Sequence, residues 1–590
     1  MYQDAAFRRR VIEEVCDHRE RPIAPPNGVD VLPVLSHALR VTSQEARASL
    51  LMLAAWAGFF VSDVIMFWDR LSDRWGDGAE VHFSDVLTAF FQGDDQLTGG
   101  RPLPWSVFYA LVALALWFAR TAGGGGSAAR SAGLPDPVAK AADGAGTMIS
   151  LGAWILTFYY WYSYVTGLLG GHAQTPYPLL FPLAIMLIAW WYQTWQRKSL
   201  CRLLSRWTFP DATQPTLPPG PLFEMLRDDV QREQEASLTL YDPDSPSFVG
   251  LGTQGTPWSF AMELRRRAPQ PAEKDGADPG SDGGALPRQN GGPLTADAAL
   301  AMIEPQLTGL RESAARSGKD RLRDLEIDRF VYVPGGVARD EELEIGGVPD
   351  PAALPQRTGR RRGLPVYDPA QVAAHRKEAM DEGGEGRRVF LRIRVGAWHE
   401  QVVVTVLVRV HTQGRMLVLE VLPFVLGPVR KEFRAVDALV ERLPETWARG
   451  AMRALRDAPS IGVDAGIGGL ATLRNTVATN WSTREPPPDV PRLSLREVAG
   501  NKGLSAFQRM DSTRYVKTIR ERIVNGVREA LKAHGYHTEE FEQHVYHLSG
   551  GSVFIKDMSG GAVATGSHGS ATHNNQPPPS APPTHANHTP

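Results

Sequence analysis

The sequence predicts a membrane α-helical domain of four transmembrane helices, joined to a cytosolic α+β domain with an antiparallel sheet and a C-terminal helical and disordered tail. Three observations carry that expectation. Four apolar stretches, about Ala48–Trp68, Leu103–Ala119, Thr147–Gly170 and Tyr177–Trp195, crowd the first third of the chain. A helix needs about 20 apolar residues, with a range of roughly 17–25, to cross a bilayer, and each stretch reaches that range or its short edge. Beyond Cys201 the pattern changes to β-branched runs separated by turn residues, and the last residues are Pro-, His-, Asn- and Ser-rich.

The bulk composition agrees with a segregated chain. There are 590 residues, 63 Lys and Arg against 65 Asp and Glu, and a formal net charge of −2. Near-neutrality gives no global attraction for nucleic acid, and none is expected as a partner. Ala, Arg, Gly and Pro are abundant and Lys is scarce, the usage of a high-GC bacterial gene. The two cysteines, Cys16 and Cys201, are too few for a disulfide framework and fall on the same expected cytosolic side. Residues 1–47 form a polar, Arg-rich cytosolic segment. The apolar run that follows starts too late and is too long for a cleavable signal.

Orientation follows from the positive-inside bias. The N-terminal segment is Arg-rich, the loop 69–102 is acidic and reads as external, and the loop 120–146 carries Arg120, Arg130 and Lys140. The fourth stretch runs straight into Arg197, Lys198, Arg202 and Arg206, a juxtamembrane cluster suited to anionic headgroups. Both termini are therefore expected in the cytoplasm, with the helices in the cell membrane over 48–199. Aromatic rings crowd the third and fourth stretches. The run Phe158–Tyr164 lies too deep to be an interfacial belt only, so some of its rings must pack on neighbouring helices. Asp63 is the one ionisable residue inside a stretch. Ionisable groups at such depth mark pathways or find a partner. Lying roughly 7–8 Å from the outer end, it is expected to reach the surface or pair with Arg70. Pro178 and Pro182 sit near the start of the fourth helix, where proline is tolerated.

The expected cytosolic domain spans 200–470. Leu222–Glu233 has the spacing of a short amphipathic helix. Ser237–Tyr241, Ser247–Gly250 and Trp258–Leu264 have strand character. Leu294–Arg316 reads as a helix capped by Thr295, with Leu300, Ile303, Leu307 and Leu310 on one face and a kink expected at Pro305. After Leu325–Val333 come Val389–Val395, Gln401–Val410 and Met416–Leu422, whose spacing predicts an antiparallel meander. Both faces of the middle run are apolar, so it is expected to be central and covered on both sides. A helix over Val429–Leu443 completes the domain. Residues 471–510 read as a linker, 511–566 as a basic helix plus a short hairpin, and 567–590 as a disordered tail. The helix Asp511–Ala533 has an apolar seam at Val516, Ile519, Ile523 and Val527.

Most familiar chemistries find no motif. Gly250–Gly255 matches GxGxxG letter for letter, but a strand-like segment follows where a helix is needed, so a glycine-rich turn is expected. GxxxxGK[ST], HExxH and GxSxG do not occur. His537, Glu540, His544 and His547 would share one face of a helix and are the candidate metal ligands, against an ordinary amphipathic helix with polar flanks. No catalytic residue and no cofactor is expected.

Three segments, Tyr241–Leu264 (YDPDSPSFVGLGTQGTPWSFAMEL), Arg388–Arg434 and APPNGVDVLPVLSHALR near the N-terminus, resemble a group of uncharacterised multi-pass membrane proteins of high-GC bacteria. The resemblance implies a four-helix membrane architecture and carries over no activity. The expected function is a non-enzymatic, membrane-tethered scaffold or sensor whose cytosolic domain binds a ligand or protein. Its partners would be the lipid bilayer, with a protein partner or further copies of itself. An oligomeric channel or transport component, or a membrane-bound enzyme, are the alternatives. Asp63 and the Ser, Thr and Tyr hydroxyls are the polar groups that a pore would have.

Overall fold

A computed structural model describes residues 1–75, 103–122, 136–170, 175–267, 292–335, 367–381, 386–441 and 490–549, apart from a few single positions, with alternate residues between 82 and 90. The chain divides into two compact units. The first lies within Met1–Gln234 and Val429–Ala499, the second within Glu235–Asp350, Pro365–Pro428 and Gly500–Pro590. The expected hairpin 550–566, the disordered tail and the Arg357–Arg362 stretch lie outside the described residues.

The first unit is helical. α1 (Ala5–Ile12) starts where the Asp4 carboxylate accepts the Phe7 amide at 2.8 Å. That bond, with Arg430 nearby, holds the Asp4 carboxyl below the ordinary range. α2 (Val31–Trp75) has 45 residues, roughly 68 Å at the helical rise. That is about twice the thickness of a bilayer core. Its first turns bring Val31, Leu35 and Ala38 against Phe7 and Val11 of α1 and against Leu226 and Val230 of α6. Its later turns join α3 (Trp105–Ala122), α4 (Asp136–Leu169) and α5 (Tyr177–Ser199). α6 is Pro221–Glu235.

All four apolar stretches are thus helical, but length and composition single out one. Among the described residues, Val31–Arg74 is the helix that is long enough and holds a window apolar enough to cross a membrane, and Trp105–Ala119 is a shorter apolar helix. Of the four expected crossings, this test supports one candidate. The physical reason is composition: Tyr159, Tyr160, Tyr162 and Tyr164 put hydroxyls into α4, and Pro178, Pro182, Gln193 and Gln196 dilute α5. Phe59, Tyr160 and Ile185 are wholly buried at the centre of these helices. Pro182 has no N–H for the carbonyl of Pro178 one turn back, and the Tyr160 hydroxyl donates to that carbonyl instead, at 2.7 Å. The crowded ring run of α4 therefore splits by face. Tyr160 and Tyr164 turn inward, while Phe158 and Tyr162 stack on each other outside.

The second unit is a mixed seven-stranded sheet with helices on one face. Its strands are β1 (Leu238–Tyr241), β2 (Thr253–Gln254), β3 (Trp258–Glu263), β4 (Glu326–Pro334), β5 (Arg388–Ala397), β6 (Val402–Gln413) and β7 (Met416–Leu426). The order is β1-β4-β5-β6-β7-β2, with β3 also on β7. β5 to β7 pair antiparallel, as the meander spacing predicts, with Ala397 opposite Val402 and Gln413 opposite Met416 at the turns, and β4 adds antiparallel to β5. β1 pairs parallel to β4, which makes the sheet mixed rather than purely antiparallel. Ser247–Gly250 forms a turn instead of the expected strand.

Pleating sends Leu391, Ile393 and Val395 of β5 and Val402, Val404, Val406 and Val408 of β6 to one side. There they bury against α7 (Ala296–Ser317) and α9 (Ala506–Ala533). Thr295 caps α7 as expected, and Pro305 lies inside an unbroken helix. α9 begins five residues earlier than the sequence suggests, at a capping box formed by Ser505 and Gln508. Its seam, Ile519, Ile523 and Val527, enters the sheet core, so the helix belongs to this unit rather than to a separate tail. The segment Val429–Leu443, expected to complete the sheet domain, instead contributes two short helices, Lys431–Arg434 and Val436–Glu441, to the first unit. α8 (Pro369–Asp381) lies along β4 and β5, and α10 (Glu539–Ser549) against β3.

Candidate functional site on the charged face of the sheet

The opposite face of the sheet carries polar chemistry. Strand alternation places Glu326, Asp328, Phe330 and Tyr332 of β4 on this side. Register sets Asp328 opposite Arg392, Glu326 opposite Arg394, and Arg409 opposite Glu420. Each pair closes. Arg392 grips Asp328 through two bonds of 2.9 and 2.8 Å, Arg394 binds Glu326 through Nε at 2.8 Å, and Arg409 lies 3.6 Å from Glu420. The Arg392 guanidinium also stacks 4.0 Å above the Phe330 ring. Burial pushes the Arg409 guanidinium below its ordinary value, against the opposing pull of Glu420, while Arg388 adds to the lowering. Burial likewise raises the Tyr332 hydroxyl, so it stays protonated.

Beside this ladder lies an apolar plug. Phe248, from the turn before β2, meets Tyr332, Phe390 and Phe424 at centroid distances of 5.3, 6.0 and 5.2 Å. Leu251 and Leu407 complete the plug. Thus β6 is covered on both sides, as its doubly apolar pattern predicts. Gly252, with φ of +87°, has no room for a side chain, because a Cβ would lie 2.5 Å from the Val425 carbonyl oxygen. The GxGxxG glycines therefore serve a turn pressed onto β7, with strand and not helix after it.

Four arginines, Arg388, Arg392, Arg394 and Arg409, thus share a face with three carboxylates, Glu326, Asp328 and Glu420. This arrangement suits binding of an acidic group by exchange of partners. The strand pattern around 388–420 held that signal. Its alternating arginines pass in sequence for the solvated side of a strand, and only register shows that they form one ladder.

The residues singled out in sequence fall elsewhere. Asp63 is fully buried rather than reaching the surface. It accepts the Ser106 amide at 2.5 Å, in the first turn of α3, and the Tyr177 hydroxyl at the start of α5. One carboxylate therefore caps one helix and ties two others to it. Arg197 and Lys198 close α5, with Lys198, Arg202 and Arg206 exposed. The next residues, Trp207 and Phe209, are 83% and 54% exposed, an aromatic pair beside the cations. His537 precedes α10 instead of lying on it, and its Nδ1 is 3.1 Å from Glu539. His544 stacks on Phe260, with centroids 5.8 Å apart. Glu540 is half-buried on the first turn of α10, and the side chain of His547 lies outside the described residues. Among the described residues no group of three His, Cys, Asp or Glu side chains is placed to hold a metal ion. Sequence reasoning also missed the buried charges of the first unit. There Glu14 accepts the Arg492 and Leu493 amides, and Glu233 accepts the Ile23 amide.

Residues 257–564, just over half of the chain, match the family model described as the AbeC-like domain. The match runs from the start of β3 past α10 and includes the arginine ladder. No curated protein and no solved structure matches the chain.

Proposed function

The chain belongs to the AbeC-like domain family, and from that premise we propose that it is a non-enzymatic, membrane-tethered scaffold or sensor. In this reading all four helices α2 to α5 enter the cell membrane, and the sheet unit presents its arginine ladder to an acidic partner in the cytoplasm. One observation carries the tether. The outward faces of these helices are apolar: Leu50 is 69% exposed, Met148 73%, Phe158 72% and Leu169 83%. Side chains of this kind, in contiguous belts, are stable only against lipid or another protein. Within the predicted spans the charged residue is Asp63, and it is enclosed. A carboxylate occupied as a cap favours an anchor over a conducting path. The Arg197–Arg206 cluster followed by Trp207 and Phe209 fits a headgroup boundary.

The test is purification of the full chain from native membranes in mild detergent, with mass spectrometry of what accompanies it. Wild type is compared with Arg394→Gln and Arg409→Gln. Partners lost from both variants, with the chain still folded, support recognition by the ladder. A homo-oligomer without partners, unaltered by the substitutions, turns the reading toward the channel.

A further inference from the structure

A second surface of the sheet unit has the chemistry of a lipid contact. The β5–β6 turn places Trp398 and His399 in the left-handed region, at φ of +55° and +57°. Glycine and asparagine tolerate that region, whereas a tryptophan there costs free energy, and Trp398 is 42% exposed. The Trp398 indole N–H donates to Asp511 of α9 at 3.2 Å, which fixes the ring beside that helix. On α9, Phe507 and Met510 are 70% and 65% exposed. At 100° per residue Phe507, Met510, Asp511, Arg514 and Lys517 fall within an arc of about 120°. Their order along the helix is apolar at the tip and basic behind, with Asp511 engaged by Trp398 and by Arg514 at 3.8 Å.

We infer that Trp398, Phe507 and Met510 dock this unit onto an anionic lipid surface, with Arg514 and Lys517 meeting the phosphates. Two features select lipid over a protein groove. The three apolar side chains are exposed at one end of the helix, and the cations trail them at headgroup distance, roughly 10 and 15 Å along the helix from Phe507. The inference rests on the proposed tether, which keeps a bilayer within reach of every copy of the chain.

The experiment uses the full chain with Cys16→Ser and Cys201→Ser, carrying one environment-sensitive label at Met510→Cys, Lys532→Cys or Ile155→Cys. Each is reconstituted into nanodiscs of phosphatidylcholine alone or with phosphatidylglycerol, with spin-labelled lipid as quencher. The expected result is quenching and a blue shift at 510 in the anionic discs, little change at 532, and loss of the 510 signal in Arg514→Glu with Lys517→Glu. A label at 510 as solvent-exposed as that at 532 in both lipids overturns the inference. So does shielding at 510 by a second copy, seen as energy transfer between labels without lipid quenching. The label at 155 separates the two readings: if it too escapes quenching, the tether itself fails. If it is quenched while 510 is not, only the docking fails.

Discussion

Tyr160 shows how one hydroxyl repairs a defect that a proline makes. The Pro178 carbonyl has no amide to meet it at position 182, and its surroundings are aromatic and apolar. Tyr160→Phe keeps the ring and removes the donor, and should cost about 1–3 kcal/mol, measured as a lower Tm in detergent. His37 gives a pH test. Its Nε2 lies 3.0 Å from the Gln214 carbonyl oxygen and its Nδ1 3.2 Å from the Tyr2 hydroxyl, a network that suits the neutral ring. Burial is the main cause lowering its pKa, with Arg40 adding to it. A depressed folded value means that the unfolded chain takes up the proton first. The contribution of His37 is therefore complete above about pH 6.5 and is lost as pH falls below it. In His37→Gln the decline of Tm over that acidic window should flatten, while the wild type keeps its slope. At this scale the sequence was half legible. Asp63 stood out as the lone charge in an apolar run, but Ser106 and Tyr177 lie 43 and 114 positions away and no spacing rule names them.

Elements were more legible than their partners. Alternation located β4 to β7 and the meander, because period-two burial is local and the turns are short. The parallel pairing of β1 with β4 was not readable: β1 has four residues and its partner lies about ninety positions on. The helices tell the same story. The seam of α9 was visible, but not that it crosses α7 so closely that a Cβ on Gly526 would lie 2.6 Å from the Ile303 Cα. Gly526→Ala should therefore destabilise the sheet unit by about 1–3 kcal/mol, although alanine is the better helix former. A shift of the urea midpoint would show it, and an unchanged or raised midpoint would contradict the crossing. Deleting 471–590 removes α9 from the core. That truncation should yield an aggregated sheet unit rather than a folded one lacking a tail, as read by limited proteolysis. The ladder is an element-scale feature too. Arg392→Ala strips the bidentate partner of Asp328 and the cover of Phe330, and should cost about 1–2 kcal/mol, with Arg392→Lys recovering part of the loss.

At the scale of the whole chain, hydropathy and surface say different things. By length and composition, one helix among the described residues is apolar enough to cross a membrane. By exposure, helices α2 to α5 all carry large apolar side chains outward, and the rings that lower the hydropathy of α4 are partly those that pack its interior. The proposed tether rests on that second observation. The most direct measurement is alkaline carbonate extraction of membranes from cells making the full chain. The account predicts that the protein stays with the membrane pellet and is released by detergent only. Recovery in the carbonate supernatant would contradict it, and the exposed belts would then have to be covered by protein.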